Sequence, residues 1–152
     1  MDHTVATFDN TSTTQEAGVA HGAHNLAAEL LRDSDESFQQ SRQRLISYLV
    51  KLNHALNENL QDLSQALVSR FCDSLVDYLS AGHFQVFQRI VPAADEYAAI
   101  ESTTQVAMAF NDRFGNIRYV NVPEVKAALE QLALVLGTRF EVEDDIICGN
   151  GL

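Results

Sequence analysis

Lysine and cysteine are both scarce in this 152-residue chain, and what is missing narrows its function before any motif is considered. Lys51 and Lys126 are the only lysines, and the formal net charge is −11. Affinity for a nucleic-acid backbone comes from basic groups that displace counterions, so direct nucleic-acid binding is not expected. Cys72 and Cys148 form neither a CxxC pair nor a metal-ligand spacing, and both read as unpaired thiols. A signal peptide and a long apolar run are also lacking, which points to the reducing cytoplasm and away from a membrane. Catalytic signatures are equally sparse. There is no Glu-x-x-His pair of the di-iron type, no HExxH, no glycine-rich phosphate loop and no G-x-S-x-G elbow. Neither an enzyme nor a bound metal or cofactor is expected.

What is present suffices for one folded domain. The chain is 46% hydrophobic, long enough for one core and too short for two ordinary ones. Residues 1–24 are rich in Thr, Asp, Ala and Gly without an apolar period and read as a flexible polar leader; residues 25–152 read as a single domain. A helix is expected from about Ala27, with an interruption at Asp33-Ser34-Asp35. Phe38, Leu45, Leu49 and Leu52 then mark a core face as far as the turn signal Asn57-Glu58-Asn59. The next helix opens with Leu60 and Leu63 and continues through Leu75, Tyr78 and Leu79 to a break at Gly82. Phe84 to Val91 suggests a second, shorter helix. Beyond Pro92, the positions Tyr97, Ile100, Ala107 and Phe110 indicate another helix, ending near Gly115. Ile117 to Val122 is strand-like in composition but has no partner strand. Pro123 suits the first residue of a last helix, whose stripe is Val125, Leu129, Leu132, Leu136 and Phe140 and which contains Gly137. The sum is an all-α chain, an antiparallel up-down four-helix bundle with additional short helices.

Polar chemistry collects in two places. The first is the helix junction, where Asp73, Asp77 and His83 accompany Phe84 and Phe87. His83 reads most simply as a ring tied to a backbone carbonyl or a carboxylate, and alternatively as a polar edge shown to a partner. Asp77, set between Val76 and Tyr78, needs a donor if it approaches the core, and Arg139 and His83 are the candidates. The second is the run Glu141, Glu143, Asp144 and Asp145, which fits both a solvated helical face and a contact for a basic partner. His21, His24 and His54 read as solvated.

The segment Leu75-Val76-Asp77-Tyr78-Leu79-Ser80-Ala81-Gly82-His83-Phe84, with the aromatic and arginine that follow, resembles the Rsd/AlgQ family of bacterial anti-sigma factors. A second match lies at Arg139-Phe140 with Glu143-Asp144 and the aliphatics after them, and weaker similarity runs through Phe38 to Leu49 and Thr104 to Val106. Family members usually carry tryptophan where Phe38 stands, and this chain has none. The resemblance implies an elongated four-helix bundle that binds the primary sigma factor of RNA polymerase. It would hold chiefly the C-terminal, promoter-recognising helix-turn-helix, keeping it from both promoter and polymerase core. Asp73, Asp77, His83, Phe84, Phe87, Arg139, Glu143 and Asp144 are the expected partner-binding residues. The alternative is a bundle serving another cytosolic partner, such as a phosphocarrier or a different transcription regulator. The sequence leaves oligomeric state open.

Overall fold

The computed structural model describes the backbone of residues 15–149 and the side chains of residues 36–149. Four α-helices follow one another: α1 (Gln15–Asn57), α2 (Gln61–Gly82), α3 (Ala94–Phe114) and α4 (Val122–Gly149). A five-residue π-helical turn, His83–Phe87, prolongs α2. Among the described residues there is no strand, and their regular structure is all-helical. By its internal contacts it divides into two units, Met1–Ser34 and Asp35–Leu152. In the first unit, residues 15–34 are helical backbone; the leader expected over residues 1–24 lies outside the described residues as far as residue 14. Helix α1 starts before Ala27 and passes through Asp33-Ser34-Asp35 without the expected interruption. Polar residues of this kind cost a helix interior only about 0.5 kcal/mol each, too little to end it when no glycine or proline adds to them.

In the second unit the core draws on every helix. Helix α1 contributes Phe38, Leu45, Leu52, Ala55 and Leu56. Helix α2 buries Leu67, Val68, Phe71, Cys72, Leu75, Tyr78 and Leu79, whereas Leu60 and Leu63 stay substantially exposed. Its stripe therefore opens one turn later than the leucines suggested, at Ser64. Ile100, Ala107 and Phe110 of α3 and Val125, Leu129, Leu132 and Leu136 of α4 are buried as expected, Phe114 joins them, and Tyr97 is exposed. Aromatic rings tie the layers: Phe38 stacks on Tyr78 at 5.8 Å, and Phe71 meets Phe110 edge-on at 5.6 Å.

The connections have identifiable causes. Asn59 adopts φ 55°, with Leu60 N–H donating to Ala55 O (2.9 Å) and Asn59 N–H to Leu56 O (3.1 Å). This is a Schellman closure, in which asparagine tolerates the left-handed position that ends α1. Glu96 Oε1 reaches back to accept from the Ala93 N–H at 3.0 Å and starts α3. The strand-like run Ile117–Val122 is instead a loop as far as Asn121, held by two glutamines of α2, and Val122 already belongs to α4. Gln61 Nε2 donates to Val120 O (2.7 Å) and Val120 N–H donates to Gln65 Oε1 (2.8 Å), replacing the ladder partner that no strand supplies. Asn121 Oδ1 then accepts from the Glu124 N–H at 3.1 Å, capping α4, so Pro123 falls second in the helix, just after Val122.

Two features give direct expectations. A Cβ added at Gly137 meets nothing within 4 Å, so this mid-helix glycine serves no close approach. Gly137→Ala should raise stability by about 1 kcal/mol in a denaturant melt, and a loss would show that the site is more crowded than its surroundings indicate. Cys72 is buried and Cys148 exposed, and both are free thiols. Burial, with Asp73 nearby, pushes the Cys72 thiol up to about 12. Above pH 9 the unfolded chain therefore ionises at this position while the folded chain does not, and stability should fall as pH rises from about 9 to 12, with a limiting slope of about 1.4 kcal/mol per unit. Comparing urea midpoints at pH 8 and pH 10 with those of Cys72→Ala isolates this component; an identical pH dependence in the two proteins would contradict it.

Candidate functional site

The residues singled out from sequence separate into a buried set and an exposed set. At the centre of the buried set is Arg139 on α4, 2% exposed and facing Glu143 one turn on, which is 0% exposed. Arg139 Nε donates to Glu143 Oε2 and to the Tyr78 hydroxyl, both at 3.0 Å. Arg139 Nη1 donates to Ile100 O (3.1 Å), Thr103 Oγ1 (3.1 Å) and Thr104 Oγ1 (2.6 Å) on α3. The Tyr78 hydroxyl itself donates to Glu143 Oε2. Helix α1 completes the network. Arg42 Nη1 donates to Glu143 Oε1 at 3.3 Å, and Arg42 Nη2 pairs with Asp144 Oδ1 at 2.9 Å. The Arg42 guanidinium also lies over the Phe140 ring at 5.2 Å.

This geometry satisfies charges that would otherwise be prohibitive inside a core. Burial pushes the Glu143 carboxyl up, against the downward pull of Tyr78, Arg139 and Arg42. Burial and the adjacent carboxylate push the Tyr78 hydroxyl far up, so it remains a donor. Burial lowers the Arg42 pKa, but Asp144 and Glu143 outweigh it and hold the guanidinium above its ordinary value. The group fastens four helices together. Its named donors and acceptors meet one another.

Arg139 and Glu143 therefore do not lie on a partner-facing surface, as their place beside an acidic run had suggested. They occupy the core stripe between Leu136 and Ile146, and Phe140, expected on that stripe, is half-buried beside it. Arg42, Tyr78, Thr103 and Thr104 were not singled out as functional residues. The signal available for them was polar residues recurring at core spacing on predicted helices.

The exposed set comprises Asp73, Asp77, His83, Phe84 and Asp144. Asp77 finds neither Arg139 nor His83; it lies 3.9 Å from Arg44 at the surface, with its side chain 64% exposed. Asp73 and Asp77 line a polar groove of about 480 Å³ with Asn111 and Asn116. His83 is exposed, so the simpler reading of a ring tied into the junction does not hold; it meets Phe84 edge-on at 4.8 Å. Phe84 is 61% exposed on the π-helical turn, while Phe87 turns inward to within 5.9 Å of the Arg139 guanidinium. Gly82, expected to be a flexible break, is helical at φ −60°. Its role is close approach: a Cβ there would meet Phe38 Cε1 and Phe87 Cε2 at 3.2 Å. Among the described residues no cluster of three or more His, Cys, Asp or Glu could hold a metal ion, and no helix is long and apolar enough to cross a membrane.

Comparison with known proteins places this arrangement. A family model described as "Regulator of RNA polymerase sigma(70) subunit, Rsd/AlgQ" matches residues 34–149, a span that contains the whole network. The protein named Regulator of sigma D from Yersinia enterocolitica is 34% identical over 99 residues, covering 56% of this chain and 59% of that protein. Its namesake from Yersinia pseudotuberculosis is 30% identical over 128 residues, covering 74% and 76%. That of Sodalis glossinidius is 33% identical over 121 residues, covering 74% and 83%. No solved structure matches at a significant level. With a family model covering most of the chain and relatives aligned over three quarters of it, this protein belongs to the Rsd/AlgQ family.

Proposed function

We propose that this chain is an anti-sigma factor. It binds the primary sigma factor of RNA polymerase, mainly through the C-terminal promoter-recognition region, and lowers that factor's availability to the polymerase. The observation that carries the reading is the family match over residues 34–149. Physical support comes from charge: an acidic protein of net charge −11 complements a basic helix-turn-helix, and occupying that surface competes with promoter DNA without any chemistry. The chain acts in the cytoplasm as a binding protein and not as an enzyme. Residues 25–152 form the binding domain, arranged as an antiparallel up-down bundle, with residues 1–24 as a leader outside it.

The partner-facing residues in this reading are Asp73, Asp77, His83, Phe84 and Asp144, with Phe87 supporting the surface. Arg139 and Glu143 contribute from behind: Arg139 anchors Glu143, Glu143 holds Arg42, and Arg42 positions Asp144. Asp77 and Asp144 suit charge reversal, since both side chains are more than half exposed; Asp144 also pairs with Arg42, so the folded fraction of the variant is measured alongside its affinity. The double variant Asp77→Lys/Asp144→Lys should bind the isolated C-terminal region of the primary sigma factor about tenfold or more weakly at low salt, with a flattened salt dependence. Unchanged affinity in calorimetry at two salt concentrations would rule out this face. A wild-type protein that binds neither full-length sigma nor the isolated region would rule out the anti-sigma reading itself.

A further inference from the structure

His83, one of the proposed partner-facing residues, also borders a feature of different character. A cleft of about 740 Å³ opens where the π-helical turn, the connection after it and the first turns of α3 meet. Its walls include Phe87, Val91, Pro92, Tyr97 and Ile100. Val91 is 92% exposed and Tyr97 58%, apolar surface that the fold itself does not cover. Glu101 brings the cleft's carboxylate, one turn along α3 from Tyr97. The floor is fixed: Ile100 and Thr104 lend their carbonyl and hydroxyl oxygens to Arg139, so the cleft is built on the buried network.

The geometry points to this cleft as the receptacle for an apolar anchor on a basic helix of the partner, with a cationic side chain one turn from the anchor set against Glu101. The proposal rests on the anti-sigma reading and adds to it a second wall, α3, as a determinant of which helix fits. Charge complementarity selects this occupant. The protein is strongly acidic and the cleft holds a carboxylate, so a helix that pairs an apolar anchor with Lys or Arg gains on both counts, and an acidic helix is repelled. A preformed floor reduces the ordering cost of binding, which is where energetically dominant contacts concentrate.

The test uses the full chain and the isolated C-terminal sigma region at low and high salt. Tyr97 and Glu101 are both exposed, so Tyr97→Ser and Glu101→Lys leave the core intact, and far-UV circular dichroism checks this. Tyr97→Ser should weaken binding about tenfold at both salt concentrations, because it removes an apolar wall. Glu101→Lys should weaken it about tenfold at low salt and less at high salt, because it reverses a charge. Wild-type affinity in both variants, with Asp77→Lys/Asp144→Lys impaired under the same conditions, would overturn the cleft proposal and leave the anti-sigma reading standing. Absence of binding by the wild-type protein would overturn both.

Discussion

Arg139→Ala is expected to remove about 3–5 kcal/mol of folding stability, a large share of the roughly 5–15 kcal/mol that a domain of this kind possesses. The substitution deletes five hydrogen bonds that Arg139 makes to Tyr78, Glu143, Ile100, Thr103 and Thr104. Worse, it leaves the Glu143 carboxylate buried with Arg42 as its one cationic partner. The midpoint of thermal unfolding should drop by roughly 10 °C. Glu143→Gln, which keeps the shape but removes the charge, should be milder, and the two effects should not add: a double-mutant cycle should return a coupling above about 1 kcal/mol. Additive losses would mean that the pair contributes no mutual stabilisation and that its oxygens and nitrogens are satisfied independently. Because Arg139 also carries the floor of the apolar cleft, loss of partner binding in these variants has meaning only where the folded fraction has been measured.

Gly82→Leu should cost about 2–3 kcal/mol, for the opposite reason, too little room. The first added carbon meets the rings of Phe38 and Phe87 at 3.2 Å, and further carbons cannot be placed without moving one of them. Phe38 is fully buried and stacked on Tyr78, so it can yield least; Phe87 is the ring that gives way. Gly82→Ala brings two effects into competition. Replacing a helical glycine gains up to about 1 kcal/mol, and the tight contact with two rings subtracts from it. Urea melts of the two variants separate these terms. A Leu variant as stable as the wild type would show that the rings have space to retreat and that close approach is not why this position is glycine.

The helices were legible because period and punctuation agreed. Val125, Leu129, Leu132 and Leu136 are buried as their spacing implied, and Asn57-Glu58-Asn59 closes α1. The candidate site was only half legible. Arg139 and Glu143 were recognisable as a matched pair of positions, but a charged pair one turn apart on a helix ordinarily reads as surface. What places them inside is tertiary: a phenol from α2 and a carbonyl and two hydroxyls from α3 happen to converge on one guanidinium. Sequence spacing carries no information about that convergence. Leu60 and Leu63 misled for the converse reason, since an apolar residue on the surface violates no physical rule. The loop over residues 117–121 kept its strand-like residues because two glutamine side chains took over hydrogen bonds a neighbouring strand would have made.

The reach of the Arg139 network along the chain bears on how the protein is made. Its links join Arg42 to Glu143 across 101 positions, Tyr78 to Glu143 across 65 and Arg139 to Ile100 across 39. During synthesis, α1, α2 and α3 therefore leave the ribosome before their shared ionic partners on α4 exist. Until residues 139–144 have emerged, Tyr78 and Arg42 lack the carboxylates they meet in the folded chain, whereas Thr103 already donates to Ala99 O and Ile100 O within α3. Closure of the network that joins α1, α2 and α3 thus awaits a single late stretch of the nascent chain.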